Sequence, residues 1–198
     1  MASRIPFSQF ANPNADVISS TSTAFQLTAE SSTDIWLKPV SSPANKFNAP
    51  MLYKTVSSSS FRRARVTVSA NWNTLYDQGG LILVFPQADG TQKWVKTGIE
   101  FFMDEVYVGT AVADRGADWS LSQVGIRNNE VTLEFKSQEG SLWIYVIDGE
   151  KEIPIREVTW ALSLGDDLGM WVGIYCCRPS VSEEQLVVDF RGFELDIV

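Results

Sequence analysis

From Phe25 to Leu195 the chain repeats one pattern, short runs rich in Val, Ile, Thr and aromatic residues separated by turn residues, with no helical periodicity between them. Such a chain must build sheets. Strands are predicted at Phe25–Ala29, Asp34–Lys38, Arg62–Ala70, Leu81–Phe85, Lys93–Phe102, Val106–Ala113, Val131–Lys136, Ser141–Ile147, Ile153–Ala161, Gly169–Cys177 and Gln185–Leu195. Asp89-Gly90 and Asp148-Gly149 are hairpin pairs, Asn128-Asn129 tolerates left-handed backbone, and Gly79-Gly80 is read as the end of a polar loop. Most neighbouring strands are therefore expected to be antiparallel. So many strands overfill one open sheet, and stacking them as two buries one face of each, which predicts an all-β, two-sheet antiparallel jelly-roll sandwich. The Ser-rich stretches Ser19–Thr23 and Ser57–Ser60 are brief and read as loops, so residues 1–198 are expected to form a single domain.

Charge narrows the partners. A formal net charge of −8 repels phosphate backbones and anionic lipid, so neither nucleic acid nor membrane is an expected partner. The basic run Phe61-Arg62-Arg63-Ala64-Arg65 is too short to reverse this and is read as a solvated strand face with ion pairs. Cys176 and Cys177 are adjacent and too close to bridge, so they are expected to be free thiols. No Asn-x-Ser/Thr acceptor is present, and Met1–Ser8 carries no apolar targeting segment, which together predict a cytoplasmic protein.

Catalytic signatures are few. The chain contains no histidine, which removes Ser-His-Asp and Cys-His catalysis and the usual zinc sites, and it has no Gly-rich phosphate loop. No cofactor or metal is expected. Two-carboxylate glycoside hydrolysis needs no histidine, but the Glu-x-Asp-x-x-Glu run of retaining sandwich glucanases is missing; Glu100, Asp104 and Glu105 have the wrong order and spacing. A catalytic role is not expected.

The informative segment is Trp94–Phe102. Period-two alternation sends Val95, Thr97, Ile99 and Phe101 to the core and puts Trp94, Lys96, Glu100 and Phe102 on the opposite face. Lys96 and Glu100 lie about 13 Å apart along an extended strand, so each needs a partner from another strand. One reading is a concave ligand groove in which Trp94 stacks on a ligand while Lys96, Glu100 and neighbouring polar groups bind it. The other is a structural network in which Glu100 pairs with Arg65 or Arg178 and Lys96 with Asp118. Tyr76 and Trp119, with Trp72, sit beside polar turns and either rim a pocket or close the ends of the sandwich. The candidate ligand-binding set is Trp94, Lys96, Glu100, Asp118, Trp119, Tyr76 and Arg65.

Five blocks extend the reading: Asp34-Ile35-Trp36, Asp77-Gln78-Gly79-Gly80-Leu81-Ile82-Leu83, Trp94-Val95-Lys96-Thr97-Gly98-Ile99-Glu100, Ala117-Asp118-Trp119-Ser120, and Val172-Gly173-Ile174-Tyr175-Cys176-Cys177-Arg178-Pro179 followed by Val188-Asp189-Phe190. In order and spacing they resemble a family of concanavalin A-like lectin/glucanase jelly rolls of unknown function, and within it a fungal group named for regulation of enolase. The resemblance implies a non-catalytic regulator of carbohydrate metabolism that acts by protein contact, with enolase of glycolysis as a partner. It supplies no established active-site residues. Sugar recognition on the concave face, with a carbohydrate ligand, is the alternative, and a glycoside hydrolase the third.

Overall fold

The computed structural model describes residues 9–11, 17–20, 24–39, 44–164 and 169–198. In chain order the strands are β1 (Gln9–Ala11), β2 (Val17–Ser20), β3 (Ala24–Ala29), β4 (Ile35–Trp36), β5 (Lys46–Phe47), β6 (Met51–Val56), β7 (Phe61–Ala70), β8 (Gln78–Pro86), β9 (Gln92–Phe102), β10 (Glu105–Ala113), β11 (Ala117–Ser122), β12 (Glu130–Gln138), β13 (Ser141–Asp148), β14 (Lys151–Val158), β15 (Met170–Cys177) and β16 (Leu186–Ile197). They form two seven-stranded sheets, ordered β1-β6-β15-β8-β9-β10-β11 and β14-β13-β12-β7-β16-β3-β2, with a small two-stranded sheet of β4 and β5. Every strand pair is antiparallel, giving the two-sheet jelly-roll sandwich that the strand pattern predicts.

The main core lies between the two sheets. Leu81 and Leu83 of β8, Val95 and Ile99 of β9 and Val172 and Ile174 of β15 meet Val66 and Val68 of β7 and Leu133 and Phe135 of β12, all shielded from solvent. Alternation explains which side chains meet: Val95, Thr97 and Ile99 are buried on one face of β9, as predicted. Each fully buried Leu, Ile or Val stabilises the sandwich by about 1.5–3 kcal/mol relative to exposure.

A second apolar cluster sits on the other face of the first sheet. There Ile82, Val84, Trp94, Tyr175 and Met51 pack against Ile35 of the β4–β5 hairpin. The first sheet is thus covered on both faces along much of its length, which is why β8 reads Gly-Gly-Leu-Ile-Leu-Val-Phe with no polar alternation and is buried from Gln78 to Phe85. Leu37 O accepts a hydrogen bond from Ala117 N at 2.8 Å, fastening the hairpin to edge strand β11.

Turn chemistry accounts for most connections. Gly90 and Gly149 take positive φ after their aspartates, and Asn128 and Asn129 both lie in the left-handed region. Edge strand β14 carries Pro154 together with Lys151, Glu152, Arg156 and Glu157, a composition that blocks pairing with another sheet.

Several sequence expectations are corrected. Gly79 and Gly80 do not end a loop; they lie inside β8. The run read as Ile153–Ala161 stops at Val158, and Ala161–Ser163 form a 3-10 turn. Strand β4 falls within the predicted Asp34–Lys38 run, whereas β5 and β6, which complete the hairpin and the first sheet, come from segments whose alternation is too short to register. Ser19 and Ser20 belong to β2, while residues 21–23 and the Met1–Ser8 segment lie outside the described residues. Ser57–Ser60 turn between β6 and β7, as expected.

Candidate functional site

Three glycines prepare the site. Antiparallel register sets Gly80 of β8 opposite Gly98 of β9, and Gly98 opposite Gly109 of β10, so a strip three strands wide has no side chains. A Cβ on Gly80 would run into the Thr97 carbonyl, one on Gly98 into the Gly79 carbonyl, and one on Gly109 would lie 2.6 Å from Glu100 Oε2. Only glycine allows this approach.

Two charged side chains lie across the bare strip in opposite directions. Lys96, one register step to one side, reaches over it so that Nζ donates to Gln78 Oε1 at 2.6 Å. Glu100, one step to the other side, reaches back so that Oε2 accepts from Trp119 Nε1 at 2.9 Å. The lysine side chain is only 4% exposed and its ammonium sits 5.5 Å from the Trp94 ring centroid and 5.7 Å from that of Tyr175. Ring faces and one carboxylate, Asp34 Oδ1 at 3.8 Å, compensate its lost hydration. Asp34 is itself oriented, its Oδ1 accepting from Ile35 N at 2.7 Å and its backbone N donating to Asn48 Oδ1 at 2.8 Å. Burial raises the Glu100 pKa, opposed by the charge of Lys96 and the hydrogen bond from Trp119.

Above this polar floor a cavity of about 320 Å3 opens, walled by Trp36, Tyr76 and Trp119 and lined also by Lys38 and Pro179. Phe102 braces two of these walls, stacking on Tyr76 at 5.6 Å and meeting Trp119 edge-on at 5.5 Å. Tyr76 is held at φ 67°, and its N donates to Phe101 O at 2.8 Å. The arrangement combines aromatic faces with a few convergent polar groups, at the small end of the volume range of ligand pockets, about 300–1,000 Å3. Among the described residues no group of three His, Cys, Asp or Glu side chains could hold a metal ion.

Of the seven sequence candidates, Tyr76, Lys96, Glu100 and Trp119 line this one cavity. The other three lie elsewhere. Trp94 is 2% exposed and packs in the second apolar cluster under the β4–β5 hairpin, leaving no open ring face beside Lys96 for a ligand. Asp118 precedes Trp119, so period two turns it to the opposite face, where it pairs with Arg156 at 3.2 Å. Arg65 belongs to the other sheet and pairs with Glu134 at 2.6 Å, and Arg63 pairs with the same carboxylate at 3.3 Å, so the basic run is an ion-paired strand face. The partners predicted for Lys96 and Glu100 are replaced too: Arg178 is committed to Asp77, and Gln78, Asp34 and Trp119 serve instead. Trp72, the third rim candidate, is buried in the main core and donates to Asn129 O at 3.0 Å.

Sequence reasoning missed Asp34, Trp36, Lys38 and Gln78. Gln78 could have been found, because it stands two residues before Gly80 on the same strand face. The hairpin residues could not, since their contact with β9 is purely tertiary.

A family model described as "Protein of unknown function (DUF1349)" matches residues 10–197. An uncharacterized protein of Emericella nidulans is 47% identical over 174 residues, covering 87% of this chain and 86% of its own length. Among solved structures, a functionally unknown protein from Saccharomyces cerevisiae superposes with a TM-score of 0.77 at 21% identity, covering 96% of each chain. A Bacillus licheniformis β-glucanase gives 0.54 at 16% identity over 98% of this chain and 87% of its own. The GH43 protein BlXynB of Bacillus licheniformis gives 0.66 at 13% identity, covering 93% of this chain but 34% of its own. At these identities the superpositions show the fold, a concanavalin A-like sandwich.

Proposed function

We propose, from the premise that this chain belongs to the DUF1349 family of proteins of unknown function, that it is a non-catalytic carbohydrate-binding protein that takes a sugar-sized ligand in the cavity above Gly80, Gly98 and Gly109. One observation carries the reading: a cavity of about 320 Å3 whose walls are Trp36, Tyr76 and Trp119 and whose floor is Lys96, Glu100 and Gln78. Aromatic faces stack on the apolar faces of sugar rings, and a floor of mixed donors and acceptors bonds hydroxyl groups of either sense. A β-glucanase is among the neighbours that share the fold, which is in keeping with a sugar site on such a sandwich.

Binding is favoured over hydrolysis because the two carboxyl groups at the cavity are engaged. Glu100 accepts from Trp119, and Asp34 accepts from its neighbouring amide while facing Lys96. Hydrolysis needs a free acid and a free base or nucleophile on opposite sides of a glycosidic bond.

Calorimetry against a panel of neutral and acidic sugars tests the proposal. Binding that is lost in Trp119→Ala and Lys96→Met variants supports it, and silence across the panel ends it. Turnover of chromogenic glycosides, abolished in Glu100→Gln, would instead make the protein a hydrolase. Control of enolase by direct contact is the regulatory role implied by resemblance to the enolase-regulator group. Two buried free thiols suit the reducing cytoplasm where that partner would be met. Co-purification of the full chain with purified enolase, with and without the sugar that calorimetry identifies, tests it.

A further inference from the structure

Three connections gather at one end of the first sheet. Residues 71–77 lead into β8, Met103-Asp104 turn from β9 into β10, and residues 178–185 leave β15. Because β15, β8, β9 and β10 are successive neighbours in the sheet, these segments lie side by side. Their contacts confirm it: Ser180 Oγ donates to Leu75 O at 2.7 Å, and the Tyr76 ring stacks on Phe102.

The surface they make is apolar and exposed. Leu75 is 45% exposed, Tyr76 36%, Met103 72% and Val181 86%, four of the seven large hydrophobic side chains exposed among the described residues. Scattered single apolar residues are ordinary on a protein surface, but four on adjoining connections form a patch. Two of them are held there against backbone preference. Met103 and Asp104 form a two-residue hairpin turn at φ 51° and 61°, where Asn and Gly are the usual occupants, and Tyr76 sits at φ 67°.

The exposed charges on these three segments are of one sign. Asp104, Glu105, Glu183 and Glu184 are all exposed on these segments. The only cation that residues 71–77, 102–105 and 178–185 contain is Arg178, which is buried and bound to Asp77. An acidic rim around apolar side chains repels anionic lipid and nucleic acid, and it complements a basic, apolar surface.

We infer that this end of the sandwich is a protein-docking surface for a partner segment that presents an apolar side chain flanked by Lys or Arg. The surface borders the sugar cavity, since Tyr76 and Pro179 belong to both. It stands independently of that reading, because Met103 and Val181 do not line the cavity.

The test uses the 15N-labelled full chain and two synthetic peptides, one with leucines flanked by lysines and arginines, the other with the same leucines flanked by glutamates. With the basic peptide, amide shift changes are expected to be confined to residues 71–77, 102–105 and 178–185 and to weaken as salt is added. Binding is expected to fall about tenfold in the double variant Met103→Asp and Val181→Asp, whose side chains are exposed and not needed for folding. Four results would overturn the inference: equal binding of both peptides, shift changes elsewhere, no binding, or a dimer in solution that the same double variant dissociates, which would assign the face to a second copy.

Discussion

Arg178 and Asp77 form a doubly hydrogen-bonded ion pair, Nε to Oδ1 and Nη2 to Oδ2 at 2.7 Å each, with both side chains removed from solvent. The remaining guanidinium donors are used as well: Nη1 donates to Glu184 O at 2.7 Å and Nη2 to Asn73 Oδ1 at 3.1 Å, while Asp77 Oδ2 accepts from Thr74 N at 3.1 Å. One arginine thereby joins the segment that carries Tyr76 to the segment that carries Pro179, two parts of the cavity lining more than a hundred residues apart in sequence. Planar, bidentate geometry suits Arg and not Lys at such a position.

Removing one member of this pair leaves an uncompensated buried charge. Arg178→Met is expected to lower unfolding free energy by about 3–5 kcal/mol, read from the urea midpoint. Adding Asp77→Asn to the same chain is expected to recover part of the loss, because the stranded carboxylate is then gone.

Gly109→Ala tests the bare floor. A methyl group there meets Glu100 Oε2 at 2.6 Å and Glu100 Cβ at 3.1 Å, both tighter than ordinary contact. Ala normally suits a strand better than Gly, so a loss of about 1–3 kcal/mol would mark the overlap and displace the carboxylate from Trp119. Thermal unfolding gives the loss, and weaker sugar binding gives the displacement.

The pH dependence of stability should carry the signature of Glu100. Burial raises its folded pKa above the unfolded value, so the native state holds the proton more tightly. Stability from this group is fully present below the unfolded pKa and falls as pH rises through the folded pKa. Chemical denaturation of wild type and Glu100→Gln between acid and neutral pH should show the wild type losing ground to the variant as pH increases. A difference that stays constant with pH would contradict the assignment.

Cys176 and Cys177 are buried with no solvent exposure, and burial raises both thiol pKa values, Cys177 despite the opposing charge of Lys96. Neither is poised as a nucleophile. Native protein is expected to react negligibly with a thiol-disulfide reagent at neutral pH, and guanidinium-unfolded protein to titrate both thiols.

The strand pattern, the face on which Val95 and Ile99 meet the core, and the presence of Lys96 and Glu100 on the opposite face follow from period-two alternation, which is local and therefore written in consecutive residues. Partner identity is not local. Gly80, Gly98 and Gly109 become one floor only when β8, β9 and β10 pair in a particular register, and Asp34 and Trp36 reach that floor only because their hairpin packs against the outer face of the sheet. Arg65 and Asp118 show the converse, since residue type nominated them and sheet membership and side-chain direction removed them. The sequence by itself determined a stack of antiparallel sheets with a charged strip on one central strand. Only the tertiary structure decided which charges lie over which glycines, because cross-strand register and the packing of distant loops are set by the collective burial of the whole core.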